Sequence, residues 1–596
     1  MRNSPVLGHL SRVLSGVALM VVAGALPWLS RTDPAAAVLR ARYAELEPSP
    51  EALAAVRDEL GLEGGPLDSS LRWWSGAVRG DFGTSWVSGG EVAPGVWRAL
   101  GVSATLTLFA VCVALVVAAA LVAPACRRVL RDRPQRGSGP VGVALTALPE
   151  FLLASALLVV VAVQLRWLPP YGWTGPDTAI LPALSLGIPA GGLLGRLLAD
   201  AVAGVAEERW VHVWRLSGAP RRVILAGVLR RAGAAVVDQL GFVLIGLLGG
   251  AVAVEQVFAI PGLGRHLLGS ANAQDIPSLQ AGVLVVAVAA ALVGALTSLA
   301  RRLLRGGPLP PGSLPPPPEP RGDGRLARWT AGTALALLLL ILVTGLPRDP
   351  YTIAHPRLAA PSPALPFGAD ASGRDLLARV AHGTIGTLTP AFLIVLGAIV
   401  VGLLLAMLGE VSRGPAEIAN ATPPILAGVI VAALLGPSVA GAALAVLWVT
   451  WPPLTTHAAS LVEEARAMPH VRWLPLAGVS STEIWWRHVL PSTIPRLLRH
   501  GMLRLPGVAL ALAALGFLGL GAQPPLPEWG LLISEGIDYV ERAPWTTAAP
   551  ASALILTSVF AVALAGLRRR LPPNAPRRPS LTVREDAEVS IPASAV

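Results

Sequence analysis

The sequence predicts an all-α, polytopic membrane protein with about twelve transmembrane helices arranged as two six-helix units. Composition is the first reason: 53% of the 596 residues are hydrophobic and 14% are charged, with a mean hydropathy of +0.62, where a soluble chain carries about 25% charged residues. The second is grouping, since the apolar residues fall into stretches that approach the ~20 needed to cross a hydrocarbon core. The third is a proline-rich break near the middle, GGPLPP at 306–311 and PPPP at 315–318, with six candidate spans on either side.

Hydrophobic runs place spans near 13–29, 103–124, 141–163, 178–198, 235–256 and 281–300, then near 329–346, 387–408, 421–437, 438–453, 503–521 and 549–567. The first follows Arg2 and Arg12 as a secretory signal would, but no clear small-residue cleavage site follows, so it is kept as a span. Arginine-rich loops at 127–136, 209–231 and 301–305 are cytoplasmic by the positive-inside rule, and the more acidic 30–102 lies on the other side. Both termini then fall in the cytoplasm, with Arg568, Arg569 and Arg570 closing the last span.

The break gives the domain organisation: a first unit over 1–305, a linker over 306–325, a second unit over 326–572 and a polar tail over 573–596 expected to be disordered. Proline lacks a backbone donor and fixes φ, so the linker cannot be a helix. An even number of spans returns the chain to the cytoplasm before the second unit begins, as a gene fusion would require.

Several function classes are excluded by residue type. The net charge of +11 comes from arginines that flank apolar spans, which argues topology rather than nucleic acid. The chain has no lysine, so it cannot build a P-loop of its own. Cys112 and Cys126 lack the spacing of a zinc site or disulfide framework and are expected to be packed inside. The nine histidines are scattered, which predicts no metal site, and Ser480 and Ser481 lack the glycine-flanked elbow of a hydrolase nucleophile. No catalytic residues and no cofactor are expected.

Each half holds one long polar stretch between two spans, and the two superpose in spacing: Ile224 follows Gly218 by six residues, as Ile484 follows Gly478. The second reads EEARAMPHVRWLPLAGVSSTEIWWRHVLPSTIP at 463–495. It predicts helix, turn and helix, with Gly478 as the permissive turn and Ser480 and Glu483 as a reciprocal capping box. Pro491 and Pro495 mark the return to the membrane.

This stretch resembles the "EAA" loop of binding-protein-dependent ABC importer permeases. The resemblance aligns Glu463, Glu464 and Ala465 with the motif's start and Gly478, Arg487, His488 and Pro491 with its later positions. Other blocks are similar to the dipeptide, oligopeptide and nickel permeases. They are GADASGRD at 368–375, containing Asp370, Gly373, Arg374 and Asp375; FLGLGAQPP at 517–525, containing Gly519, Gly521 and Pro525; PEWG at 527–530, with Trp529 and Gly530; and APW at 543–545.

The first half resembles the partner permease of the same systems. LRWW at 71–74 leads to GDFGTS at 80–85, with Gly80, Asp81, Gly83 and Ser85, then ATLTL at 104–108. LPPYG at 168–172, LPAL at 181–184, GGAVAVE at 249–255 and IPGLG at 260–264 follow. Glu255 is the costly intramembrane acid of this half, a functional candidate or a group paired inside the bundle. Pro261, Gly262 and Gly264 read as a helix-breaking turn. The first loop departs from the pattern: it keeps Gly218 and Ile224 but has Gly227, Val228 and Val236 where the family has Arg-His and proline.

The resemblance implies a type I importer fold with no enzymatic activity of its own, in the bacterial cytoplasmic membrane. It implies two ABC ATPase subunits on the cytoplasmic face and an extracytoplasmic solute-binding protein as partners. Peptides are the default substrate, with nickel or other small solutes open. A twelve-helix secondary transporter and a non-transporting scaffold are the alternatives. The former would need ion-coupling charges near mid-membrane, and few stand inside these spans. A topology reporter fused at residue 315 is expected to read cytoplasmic; an external reading would refute the orientation.

Overall fold

The computed structural model describes residues 49–59, 65–305 apart from 136, 138 and 147, and 324–565, with scattered positions between 7 and 39. The proline-rich linker, the C-terminal tail and part of the span expected at 13–29 lie outside the described residues. Among the described residues the secondary structure is helical, with isolated bridges but no strand.

A helix stands at each expected span from 103–124 onward. In the first unit these are α1 (Val92–Leu130), α2 (Glu150–Leu157, continued by a π-helical turn over Leu158–Gln164) and α3 (Pro176–Val205). Then come α4 (Arg209–Leu216), α5 (Arg221–Val257), α6 (Leu263–Asn272) and α7 (Ile276–Arg305). The second unit has α8 (Gly324–Gly345), α9 (Leu376–Met407), α10 (Pro424–Leu435) and α11 (Val439–Ala467). It continues with α12 (Leu490–Met502), α13 (Leu505–Phe517), α14 (Trp529–Ile537) and α15 (Trp545–Ala565).

Among the described residues, seven helices are long and apolar enough to cross a membrane singly, and a pair bent by 44° makes an eighth if it is counted as one span. Several boundaries differ from the sequence reading. The run at 141–163 is two helices, Gly139–Thr146 and α2, because Pro149 cannot donate within a helix. The runs at 421–437 and 438–453 become α10, only 12 residues and roughly 18 Å long, and α11, which runs 29 residues into the polar loop. Pro423 and Gly436 stop α10 at either end, the glycine with φ of 78°. The run at 503–521 is α13 joined to the preceding arm at an angle of 44°. Cys112 is exposed on the side of α1 rather than packed inside.

In lipid, apolar area between helices supplies little drive, so close approach through small residues carries association. On α3, Gly187, Gly191 and Gly195 form a stripe at four-residue spacing against Ala110, Ala114 and Ala118 of α1. A Cβ at Gly187 or Gly191 would stand 2.6 Å from the carbonyl oxygen of Ala110 or Ala114. The second unit repeats the pairing with α9 and α11, where Gly402 lies against the backbone of Leu454 and Thr455.

The units interlock through their third spans: α10 packs on α5 and α6 of the first unit, and Phe151 of α2 stacks on Phe517 of α13. That aromatic pair is buried, with ring centres 5.2 Å apart and planes at 29°. Gln274 Nε2 donates to Ala433 O at 3.3 Å. Ser11 also reaches across, donating to Val411 O at 2.6 Å.

Gly191→Val should force α1 and α3 apart and cost about 1–3 kcal/mol, lowering the thermal midpoint in detergent. Gly246→Ala, where a Cβ meets nothing within 4 Å, should be neutral. Equal midpoints for the two variants would contradict the packing argument.

Candidate functional site

The predicted site residues gather in two places, the polar hairpins that follow each unit's fourth span and the loops and short helices at the other ends of those spans. In the second hairpin α11 runs through Glu463, Glu464 and Ala465, and Met468 ends it. Helix Pro469–Trp473 and a 3-10 turn over Leu474–Ala477 bring the chain to Gly478, left-handed with φ of 78°. Ser480 then caps the next turn, its Oγ accepting from Glu483 N at 3.2 Å.

The reciprocal bond expected from Glu483 is not what its carboxylate makes. It accepts from Arg487 Nη1 at 2.7 Å, the partner one turn on in a π-helical stretch, Trp485–Val489. Arg496 pairs with Glu464 at 3.0 Å and the Arg466 guanidinium lies over the Trp485 ring. Ile484 is buried with Val462, Ala465, Val471 and Val489 in a small core of the hairpin's own. His488 lies beside His470, and Pro491 sits in the first turn of α12. Trp473, Leu476 and Trp486 are 66%, 76% and 69% exposed around the tip.

The first hairpin is built alike with different anchors. Gly218 has φ of 75°, Ile224 is buried, and Trp210 and Trp214 meet edge to face. Gly227 admits both rings, since a Cβ there would stand 3.2 Å from Trp210. Glu208 joins Trp210 Nε1 and Arg231 Nε, each at 2.6 Å. Val228 is fully buried and Val236 nearly so. Neither Gly218 nor Gly478 has an atom within 4 Å of where a Cβ would lie.

At the other end, GDFGTS turns on Gly80 and Gly83, and the Asp81 carboxylate accepts from Gly83 N at 2.8 Å. Ser85 donates to Asp275 Oδ2 at 2.6 Å and Trp86 N donates to Oδ1 at 3.0 Å. Asp275 thereby ties this loop to the start of α7. Burial holds the neighbouring His266 imidazole below its ordinary pKa, partly offset by the Asp275 charge.

In the second unit the corresponding loop is a charge cluster. Asp375 caps α9 by accepting from Leu377 N and Ala378 N, and it pairs with Arg348 at 2.8 Å. Asp370 accepts from Ser372 N and Arg374 N, and from the Arg374 and Arg379 guanidiniums at 2.7 and 2.6 Å. Arg379 also holds Glu535 of α14 at 2.6 Å, although it is wholly buried. Burial opposes ionisation of Asp370, but Arg374 N–H and the two guanidiniums hold its pKa below the usual range. Gly373 has φ of 87°, and a Cβ there would meet His355 O at 2.2 Å.

Glu255, Pro261, Gly262 and Gly264 form the link from α5 to α6: α5 ends at Val257, the chain turns through Pro261, and α6 starts at Leu263. Glu255 is fully buried and accepts from Ser103 Oγ of α1 and Arg265 N. In the second unit Gly519 closes α13 with φ of 74°, and Gly521 packs on Gly516. Pro525 follows in a loop, and the fully buried Trp529 donates Nε1 to Val380 O at 3.0 Å. A Cβ on Gly530 would stand 1.9 Å from Ala513 O.

The family of binding-protein-dependent transport system inner membrane components matches this chain twice, over residues 115–306 and 384–571. The chain belongs to that family. This permease is 32% identical over 249 residues to the dipeptide transport system permease protein DppC of Alkalihalophilus pseudofirmus, covering 40% of this chain and 82% of that one. It is 36% identical over 219 residues to the di/tripeptide transport system permease protein DppC of Pseudomonas aeruginosa, covering 35% and 71%. It is 30% identical over 281 residues to the metal-staphylopine import system permease protein CntB of Staphylococcus aureus, covering 47% and 89%. Each relative is matched over most of its length by less than half of this permease, which carries two such units in one multi-pass chain.

Sequence reasoning missed Ser103, Asp275, Thr387, Arg379, Glu528 and Glu535. Two of them were in view: Glu528 stands inside PEWG, and Arg379 follows Asp375 by four residues, one helical turn. Arg379→Met would leave Asp370 and Glu535 sharing only Arg374, at 2.7 and 3.6 Å, and is expected to cost about 1–3 kcal/mol. A thermal midpoint equal to that of the unaltered permease would show that the cluster does not hold α9 to α14.

Proposed function

We propose that the two units of this permease, over 1–305 and 326–572, line one transmembrane pathway of an ABC importer for peptides or similar small solutes. The pair of glycine-turn hairpins carries this reading. Each follows its unit's fourth span, each has its own buried isoleucine, and each leaves large apolar side chains in solvent. Beside Trp473, Leu476 and Trp486 on the second, the first exposes Leu216 and Val213 at 75% and 59%. Tips of this kind fit a groove in a separate protein better than they fit water. A chain without lysine draws its ATP hydrolysis from outside, so the partners are two ABC ATPase subunits on the cytoplasmic face of the bacterial inner membrane.

An extracytoplasmic solute-binding protein would then dock on the opposite end, where the loops at 80–85 and 368–375 are held in place by buried ion pairs and hydrogen bonds. The stacked Phe151 and Phe517 lie where the units meet and hold the pathway shut. The peptide assignment follows the relatives named for di- and tripeptides, and the metal-staphylopine relative shows why the solute class is kept broad.

Gly478→Glu tests the reading. The backbone penalty for a side chain at positive φ is about 1 kcal/mol, and open space surrounds the position, so the bundle should fold. Co-purification of the ATPase subunits and peptide uptake should both be lost. Gly218→Glu should do less, because its hairpin has no counterpart of Arg487, His488 and Pro491. Normal uptake with Gly478→Glu would sink the coupling role, and equal loss at both positions would remove the asymmetry.

A further inference from the structure

The two units carry the same hydrogen-bonded device at the start of their short helices, α6 and α14. In the first, Leu263 N, at the first position of α6, donates to Ser103 Oγ at 2.7 Å. Ser103 Oγ donates in turn to Glu255 Oε1, and Glu255 Oε2 accepts from Arg265 N at 2.9 Å. In the second, Trp529 N, at the first position of α14, donates to Thr387 Oγ1 at 3.2 Å. Thr387 Oγ1 donates to Glu528 Oε1 at 3.0 Å, and Glu528 Oε2 accepts from Leu531 N at 2.9 Å. In both units the first and third N–H groups of the short helix are satisfied by one hydroxyl and one carboxylate.

The hydroxyls occupy one position. Ser103 lies eleven residues after Val92, the start of α1, and Thr387 eleven after Leu376, the start of α9. The carboxylates do not: Glu255 comes from the end of α5, eight residues before Leu263, whereas Glu528 immediately precedes Trp529. The same contact is therefore made from two different places in the chain. Space for each acid comes from glycine, since a Cβ on Gly262 would stand 2.2 Å from Glu255 Oε1 and one on Gly516 2.1 Å from Glu528 Oε2.

Resting on the permease reading, we infer that Glu255 and Glu528 are equivalent positioning residues for transport: each binds the short helix after the fifth span to the hydroxyl of the second span. Helix and span then move as one piece when the pathway opens. A buried carboxyl group that accepts from a span's hydroxyl and from the short helix's backbone N–H is a strong tie, because losing it leaves buried donors unsatisfied. The second tie also sets the gate, since Glu528 rests on Gly516 and the next residue, Phe517, stacks on Phe151 of the other unit. A glutamine in either place keeps the shape but turns an NH₂ towards donors.

The test uses the full chain with Cys112→Ala and Cys126→Ala and spin labels at Arg98→Cys with Asn272→Cys, or at Ile385→Cys with Asp538→Cys. Electron-electron distance distributions are then recorded in nanodiscs. Glu255→Gln should broaden the first distance and leave the second narrow, and Glu528→Gln should do the reverse. Uptake of a labelled dipeptide, with the ATPase subunits and binding protein reconstituted, should fall about tenfold in each, with ATP hydrolysis retained. Thr387→Ser should restore what Thr387→Val loses. Distances that stay narrow in both glutamine variants would overturn the inference, as would broadened distances with unaltered uptake. Failure of the permease reading looks different: the unaltered complex would then take up no dipeptide while the distance responses persist.

Discussion

The structure depends on how closely the second and fourth spans of each unit approach. With lipid on all sides, Leu against Leu gains little over Leu against an acyl chain, so helices are held where backbones touch. The stripe of Gly187, Gly191 and Gly195 against alternate alanines of α1 supplies that contact in the first unit, and Gly402 against α11 supplies it in the second. Everything functional hangs from these pairs. The fourth span leads directly into the hairpin at one end, and the second span carries Ser103 or Thr387 towards the other.

Polar groups follow a complementary rule. Burying a charge is tolerable only when its partners are already in place, and this permease gathers its buried acids around helix starts and guanidiniums. Asp275, Asp370, Glu255 and Glu528 each accept from backbone N–H groups of a loop or helix that would otherwise end unsatisfied. Arg379 is the exception in kind, a wholly buried cation shared between two carboxylates from separate elements. Its Nε and Nη2 have no partner among the described residues, beside a cavity of about 230 Å³ lined by Asp370, Glu535 and Tyr539.

Much of the fold was legible because lipid imposes one loud signal, the long apolar run, and because glycine and proline mark where runs stop. The left-handed turns at Gly218 and Gly478 were readable for the same reason. Boundaries were less so: the α10 run looks continuous in hydropathy, and only Pro423 and Gly436 cut it to 12 residues. The candidate site was legible as motifs rather than as contacts. Ser85 could be singled out, but not Asp275, 190 residues away, because nothing in local spacing records a long-range hydrogen bond. Glu483 misled for a local reason, as Arg487 one turn away offers its carboxylate a stronger partner than a backbone N–H.

The crossed third spans bear on how such a chain is made. Because α10 packs into the first unit and Phe151 of α2 meets α13, neither unit buries its own interface when it leaves the ribosome alone. The first must wait, unfinished, until α10 has been inserted. Separate subunits would have to find each other in the bilayer and could pair wrongly with a second copy of themselves. Synthesis as one polypeptide makes the two halves in equal number and keeps the partner for each exposed face within a tether's length from the moment it appears.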